Sequence, residues 1–522
     1  MKMPTQHVDT GGPSILKPEA PQRSIHILRG RNFLSSPFLH LPTELILKIF
    51  GHTLDWGPGL SSLLLTAICH KLREVGIAFP QLWNVVSFTA PPLARLFLKR
   101  CNYEPRVLLI TESQLAPKGR SIRYLAQDPR WQAVWGELKG RTFSDLHSLV
   151  FEGVPPAFVD MVVGVLRRAP NIANIDLRYR SPPHQELPWS LGDPLPYLST
   201  LRLRGFWISW TSPLLRNLSH LTLDFGIVRS LPEDTTIETF LVTLANCPDL
   251  ETLDLAFAGP DLLDGYQAGC DRVVRLRELK VLSLMFHGPS RIRHILSHID
   301  YPESTAVRLE ASIDTETDLS EAISQLFPPR DVGTLQRPRS NSLTVRLDGV
   351  YTFFTDDLFV RIFTNDCANP RYTPQALARF ASKITEVVGT DAITSLGVQS
   401  WYASFPEGMW DAFLHGFPRL ERIRYDLEMG VGDERFVDPF VSVFSRPFEG
   451  GPVCPQLQRL ELPRGVVSQG ASATALKRAL VDRNARGKRL IRIEPSGDAK
   501  ERDGAVTLES FRGLVDEVYQ GP

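Results

Sequence analysis

The stretch CPDLETLDL, residues 247–255, contains the pattern that decides the fold. The hexamer L-x-x-L-x-L, in which Ile, Val or Tyr sometimes replaces Leu, begins nine times, at residues 146, 172, 198, 218, 250, 279, 393, 420 and 457. Degenerate copies begin at residues 304, 342 and 488. Amphipathic stretches lie between the copies, at residues 157–169, 290–299, 318–327, 376–389, 408–417 and 473–487. A strand, a turn and a helix repeated at this spacing predict a solenoid.

The predicted fold class is an α/β solenoid, a leucine-rich-repeat arc of parallel strands that alternate with helices. In each repeat the Leu side chains point into the core, and the residue between the last two points out of the concave face of the sheet. The candidate target-binding residues at these outward positions are Asp176, Arg178, Arg202, Arg204, Asp224, Asp254, Arg308, Arg346, Arg424 and Arg492. Arginine suits carboxylate or phosphate groups. These side chains therefore either bind an acidic or phosphorylated protein or simply solvate the sheet.

Composition limits the function classes. Lys plus Arg and Asp plus Glu both total 58, so the formal net charge is zero and a general nucleic-acid binder is not expected. No apolar run approaches the roughly 20 residues that span a bilayer. The six cysteines are scattered without a C-x-x-C pair, which is typical of a reducing compartment. We therefore expect a cytoplasmic or nuclear protein with no membrane and no nucleic acid among its partners.

The N-terminal part begins with residues 1–36, which are rich in Pro, Gly, Ser and Arg and are expected to be disordered. HLPTELILKIFGHTL, residues 40–54, predicts a first helix, and the apolar stripe over residues 60–78 predicts a second. DWGPG, residues 55–59, separates them. The sequence therefore predicts a small all-α hairpin domain over residues 37–88.

This hairpin resembles an F-box, in the divergent F-box-like group that precedes leucine-rich repeats in many fungal proteins. The matching residues are Leu41, Pro42, Glu44, Leu45, Ile49, Phe50, Leu63, Leu64, Ile68, Cys69, Arg73, Pro80, Leu82 and Trp83, and Leu72 stands where the family usually has Trp. The repeat stretches at residues 247–255 and 454–462 also resemble units of that family.

The resemblance implies a substrate-recognition subunit of a Skp/cullin/F-box ubiquitin ligase. The F-box would dock on a Skp-type adaptor, and through it on a cullin, while the repeats bind a protein target. The adaptor contacts would be Leu41, Pro42, Leu45, Ile49 and Leu64, with Trp83 as a packing anchor. The alternatives are a hairpin that only caps the solenoid and a ligase-independent repeat scaffold.

The remaining segments are a joining segment over residues 89–142, with a short helix and a strand at residues 107–110, and the solenoid over residues 143–494. Residues 495–522 are a tail or a cap helix, with the helix drawn over residues 508–519. The chain shows no nucleotide-binding or hydrolase motif, and His294 and His298 lack a third ligand for zinc. We expect no enzyme, no metal and no cofactor.

Two aromatic groups have a structural and a functional reading. Trp131 and Trp135 lie four residues apart on a predicted helix and are expected in the core. In GFWISW, residues 205–210, Phe206, Trp207 and Trp210 either anchor a partner at the rim or fill the core. The sequence favours neither.

Overall fold

The structure is a computed structural model, and it divides into two units, residues 1–82 and residues 83–522. It describes residues 40–54, 60–88, 90–110, 129–154, 158–179, 185–186, 195–226, 236–260, 272–314, 317–328, 340–347, 350–364, 373–389, 391–400, 405–427, 438–446, 453–463, 471–496 and 511–518. The predicted disordered leader and the DWGPG break lie outside these residues.

The first unit is helical. It contains α1 Thr43–Leu54, α2 Leu60–Ile68 and α3 His70–Ala78, and a 3₁₀ turn, Pro80–Trp83, follows. The prediction of one helix over residues 60–78 is wrong, because Cys69 is extended at φ −153° and ψ 169° and separates α2 from α3. The hairpin is therefore a three-helix unit.

Contacts between α2 and α3 explain the break at Cys69. The Nε of Arg73 donates to the carbonyl of Thr66 at 3.0 Å, which satisfies one of the carbonyls that the end of α2 leaves open. Gly76 lies against Thr66, since a Cβ on Gly76 would stand 2.5 Å from Thr66 Cγ2. Only a glycine allows the two helices to approach this closely. The apolar periodicity of residues 60–78 does not show this break.

The second unit is α/β. Its strands are β1 Val85–Ser87, β2 Val107–Ile110, β3 Ser148–Val154, β4 Asn174–Tyr179, β5 Gln185–Glu186, β6 Thr200–Arg204, β7 Phe206–Trp207, β8 His220–Asp224, β9 Thr252–Ala256, β10 Val274–Arg275, β11 Val281–His287, β12 Ile299–Asp300, β13 Ala306–Ile313, β14 Ser342–Leu347, β15 Tyr351–Phe354, β16 Leu358–Thr364, β17 Ser395–Ser400, β18 Arg422–Leu427, β19 Arg459–Pro463, β20 Arg492–Ser496 and β21 Glu517–Val518. Its helices are α4 Pro91–Arg100, α5 Pro129–Leu138, α6 Val159–Leu166, α7 Ile237–Ala245, α8 Pro289–Leu296, α9 Leu319–Leu326, α10 Pro374–Val388, α11 Glu407–Gly416, α12 Asp438–Phe444 and α13 Ala471–Ala485.

Seventeen of the described strands form one sheet. Its order in space is β1-β2-β3-β4-β6-β8-β9-β11-β13-β16-β15-β14-β17-β18-β19-β20-β21. Only β15 is antiparallel to its neighbours in this sheet. The predicted α/β class with parallel strands is confirmed to that extent. Each of the nine hexamers and three degenerate copies runs into one of these strands.

The inward residues of the repeats form the core, as the Leu periodicity predicts. Leu201, Leu221, Leu253 and Leu282, which lie side by side on four different strands, are all fully buried. Their stacking removes a continuous apolar surface from water, which is the main stabilising contribution in a repeat fold.

The division between the units lies earlier than the predicted boundary at residue 88. β1 pairs in parallel with β2, Val85 opposite Val107, so residues 85–87 belong to the sheet. β2 occupies the predicted residues 107–110 and pairs with β3. The sheet therefore begins before the predicted joining segment and continues through it. Phe88 also belongs there, because its ring stacks on Trp135 at 4.7 Å and on Trp131 at 5.7 Å. Of the two tryptophans predicted in the core, Trp131 is buried and Trp135 is half-buried.

The middle of the sheet differs most from a regular repeat. Sequence order alone would place β14 beside β13, but β16 takes that place and β14 pairs with β17. β15 joins them by antiparallel pairing on both sides. A tight turn at residues 355–358 connects β15 to β16. Thr355 Oγ1 stabilises this turn because it accepts a hydrogen bond from the Leu358 N–H at 3.0 Å. We call residues 342–364 the insertion.

At the C-terminal end, the predicted helix over residues 508–519 is wrong for the residues described there. Residues 511–518 contain no helix, and Glu517 and Val518 pair in parallel with Arg492 and Ile493. The edge of β20 offers unpaired backbone groups, and pairing with it satisfies them.

Candidate protein-binding surfaces

The first surface is apolar and belongs to the helical unit. Leu45 and Ile49 lie four residues apart on α1 and are 45% and 36% exposed. Leu64 and Ile68 repeat that spacing on α2 and are 67% and 53% exposed. Residues four apart share one helix face. Each of the two helices therefore presents a pair of aliphatic side chains to solvent.

The other predicted adaptor contacts lie in different environments. Pro42 is exposed and Leu41 is half-buried. Trp83 is fully buried in the second unit, where its ring packs edge-on against Phe97 at 5.0 Å and the Arg100 guanidinium lies 4.0 Å from its centre. Trp83 therefore packs inside the second unit, and it does not join the exposed group. Ile68 does join that group, although sequence reasoning left it out of the contact set.

The second surface is a face of the sheet. Register places Asp176, Arg202, Asp254, Arg308 and Arg424 in one row across the strands. Arg178, Arg204, Asp224 and Arg346 occupy a second row, two residues further along each strand. Side chains two residues apart on a strand share a face, so both rows lie on one face of the sheet. We call it the outer face. Nine of the ten predicted positions therefore lie in these two rows, and Arg492 lies two residues before the first row, beside Arg459.

Most of the predicted arginines on this face already have carboxylate partners. Arg178 lies 3.1 Å from Glu152 and 3.3 Å from Asp176, which is itself buried. Arg424 lies 2.6 Å from Asp426 and 3.7 Å from Glu461. Such pairs order the face and reduce the positive charge that it offers to a partner.

Arg202 and Arg204 differ from these arginines. Both are exposed on β6, and no ion pair joins either guanidinium to a carboxylate within the described residues. They retain their positive charge, as a site for an acidic group requires.

The insertion adds an aromatic pair that the sequence reading missed. Phe359 of β16 lies between Arg308 of β13 and Phe354 of β15 in the first row. The two phenyl rings stack at 6.2 Å between centres, and both side chains are half-buried. The only sequence signal is the alternation in LFVRIFT, residues 358–364, which places every second residue on the same face as Phe359.

The GFWISW residues belong mainly to the core. Phe206 and Trp210 are each 1% exposed, and Trp210 packs edge-on against Phe240 at 4.8 Å. Trp207 is half-buried. Trp210 also lines a cleft of about 350 Å³ beside α7, whose Thr243 donates a hydrogen bond to the Trp210 carbonyl. The core reading thus accounts for Phe206 and Trp210.

The sequence predicts neither a metal site nor a catalytic site, and the side chains that bear on this prediction are histidines and cysteines. The rings of His294 and His298 lie 5.0 Å apart, and burial together with His298 lowers the pKa of His294. In the part of the chain that the structure describes, no three His, Cys, Asp or Glu side chains are grouped to hold a metal ion. Burial raises the pKa of the Cys101 thiol to about 11 and that of Cys454 to about 12, so neither is a reactive thiolate at neutral pH. None of the described helices is both long and apolar enough for a membrane span.

Comparisons with known proteins give little information about the family or function of this chain. No protein-family model matches the chain, and a search of curated proteins finds no match. Among solved structures, the crystal structure of the Rad7 and Elc1 complex in yeast aligns at 15% identity over 66% of this chain and 83% of that chain, with a TM-score of 0.25. A match at that TM-score carries no argument about fold or function.

Proposed function

We propose that this protein is the substrate-recognition subunit of a Skp/cullin/F-box ubiquitin ligase. In this proposal the helical unit docks on a Skp-type adaptor, which connects it to a cullin, and the sheet unit binds the target protein. The protein itself carries out no chemistry, so its work is to bring two partners together.

One observation carries the proposal: the paired aliphatic side chains on α1 and α2. Leu45, Ile49, Leu64 and Ile68 are exposed, while Ile46 and Phe50 on α1 are buried. A small helical unit that buries one set of apolar side chains and exposes another is typical of a protein-binding module. The adaptor would bury the second set.

The test is co-purification of the full chain with a Skp-type adaptor. The variant Ile49→Asp/Leu64→Asp places a charge in each exposed pair, and we expect it to lose adaptor binding, because an unpaired carboxylate would be buried in the interface. Val481→Asp is the matched control. Val481 lies on α13 of the other unit and is 49% exposed, so this variant should bind like the unmodified chain.

Circular dichroism should show unchanged helix content in both variants, since all three side chains are exposed. If neither the unmodified chain nor the control binds the adaptor, the ligase role is wrong. The protein would then be a repeat scaffold whose helical unit is a cap.

A further inference from the structure

The insertion places two phenylalanines side by side in the first row of the outer face, next to strands that contribute mainly polar side chains to that row. In the first row, the strands before the insertion contribute Arg202, Thr222, Asp254 and Ser283. Phe359 and Phe354 then follow, side by side. Because β15 and β16 are inserted between β13 and β14, the reversed strand order itself creates this neighbour pair. Half-buried aromatic side chains on an accessible face are typical anchors for a partner.

The charges around this pair are unequal. Glu310 is 8% exposed and accepts from Arg308 at 2.6 Å, and its second oxygen lies 3.7 Å from Arg361. The arginine side chains are 54% and 41% exposed. Two accessible guanidinium groups therefore share one buried carboxylate, which leaves one positive charge uncompensated in this group. Arg308 also lies over the Phe359 ring, at 4.8 Å from its centre, so charge and aromatic surface are contiguous.

Positive and negative side chains lie on opposite sides of the aromatic pair along the strand direction. Arg361 lies in the second row, two residues beyond Phe359, and Arg346 occupies the same row on β14. Asp356 and Asp357 lie on the opposite side of the aromatic pair, in the β15–β16 turn, and both accept hydrogen bonds from neighbouring hydroxyl groups. An incoming acidic group is thus favoured on the arginine side and disfavoured on the turn side.

We propose that Phe354 and Phe359, together with Arg308 and Arg361, form the target-binding site, and that its ligand is an acidic protein segment with an apolar side chain. The inference rests on the proposed function, because it names the target class of the same receptor. Rows two residues apart are separated by about 7 Å. The apolar side chain therefore packs on the two rings, and a carboxylate or phosphate one or two residues away in an extended segment binds Arg361.

The test uses a synthetic array of heptapeptides and the full chain carrying a fluorescent label. Each peptide has Leu, Phe or Ser at the centre, and Glu, phosphoserine, Lys or Ser on both sides of it. We expect binding to peptides that combine Leu or Phe with Glu or phosphoserine. The Glu and phosphoserine arms separate the two sources of negative charge.

Matched variants locate the site. Phe354→Thr/Phe359→Thr keeps strand-forming residues and should weaken binding about tenfold or more, while removing the preference for Leu or Phe over Ser. Arg361→Gln should remove the preference for Glu or phosphoserine over Ser. Tyr197→Thr, at a side chain that is 64% exposed, and Arg216→Gln, at an exposed arginine outside the strands, are the controls, and both should retain binding. Arg204→Gln on the outer face of β6 tests the competing location for an acidic group.

Several outcomes would overturn the proposal: no binding to any peptide, a preference for Lys, or binding that depends on Arg204 and not on Phe354 and Phe359. The melting temperature of each variant separates loss of the site from loss of the fold, and Arg361→Gln changes a side chain at the surface. Adaptor binding should survive all of these substitutions. Peptide selection without adaptor binding would therefore refute the ligase role alone, and adaptor binding without selection would refute the site alone.

Discussion

Arg483 is a charged side chain that is only 3% exposed, and two backbone carbonyls replace its lost hydration. Its guanidinium donates to Val453 O at 2.6 Å and to Cys454 O at 3.0 Å. It also lies 5.3 Å from the centre of the Phe444 ring. Cys454 has a φ of 50°, which is unusual for a residue with a side chain. Arg483 thus secures the turn that precedes β19.

We expect Arg483→Met to destabilise the protein by about 3 kcal/mol, because two buried carbonyls lose their donors. Arg486→Met is the control, since Arg486 lies on the next exposed turn and its loss should cost less than about 0.5 kcal/mol. Thermal unfolding followed by circular dichroism measures both. Equal melting temperatures for the two variants would contradict the role assigned to Arg483.

At the scale of the element, Asp318 begins α9 and also connects it to α10. Its carboxylate accepts from the Ser320 N–H at 2.8 Å, which is an N-cap bond, and lies 2.5 Å from the Arg379 guanidinium. The Ser320 hydroxyl, the Ser320 N–H and Arg379 hold the pKa of Asp318 below its ordinary value. One side chain therefore stabilises a helix start and a helix–helix contact.

We expect Asp318→Ala to cost about 1–2 kcal/mol through loss of the cap, and Asp318→Asn to cost less because the amide oxygen still accepts from Ser320. A lowered pKa in the folded state means that the carboxylate stabilises the fold above the unfolded value of about 3.9, and that this contribution is lost as the pH falls through the folded value. The melting temperatures of the unmodified chain and Asp318→Asn should therefore converge below about pH 4. A constant difference down to pH 2 would contradict this account.

At the scale of the whole sheet, β15 is the bridge between two parallel arrays. The first array contains the sheet strands from β1 to β13, and it ends with β16, which pairs with β13. The second array begins with β14, which pairs with β17, and continues to the later strands. Within the described residues, the pairings that join the two arrays are those of β15 with β14 and β16. Contacts between α9 and α10 provide a second link. The continuity of the sheet thus depends on four residues, Tyr351–Phe354.

We expect Thr352→Pro to weaken this bridge by about 3 kcal/mol or more, because proline lacks the backbone N–H and a central strand tolerates it poorly. Thr352→Val is the control, since it keeps the N–H and a β-branched side chain. Limited proteolysis with mass spectrometry should show cleavage of the proline variant within residues 342–364 and two separately protected fragments. A digestion pattern identical to that of the control would mean that the helix contacts alone join the two arrays.

How far the sequence predicts the binding surfaces depends on whether the contacts are local. Arg202 and Arg204 could be placed on one face because alternation along a strand requires no knowledge of its neighbours. The ion pairs of Arg178 with Glu152 and of Arg424 with Glu461 required the packed structure, and so did the pairing of Phe354 with Phe359. These contacts depend on which strand lies beside which, and that information is not periodic.

The sequence by itself determined the repeat strands, since Leu at fixed spacing can be buried only if the strands stack in parallel. It also determined the apolar faces of α1 and α2, which follow from helical periodicity. The tertiary structure alone decided the break at Cys69, the pairing of Glu517 and Val518 with β20, and the reversed order of β14 to β16. Each of these depends on a non-local contact: a helix that approaches a glycine, an edge with unpaired backbone groups, and a hairpin that inserts two strands between distant neighbours. Residue patterns along the chain favour an element, but hydrogen bonding between distant segments selects its position.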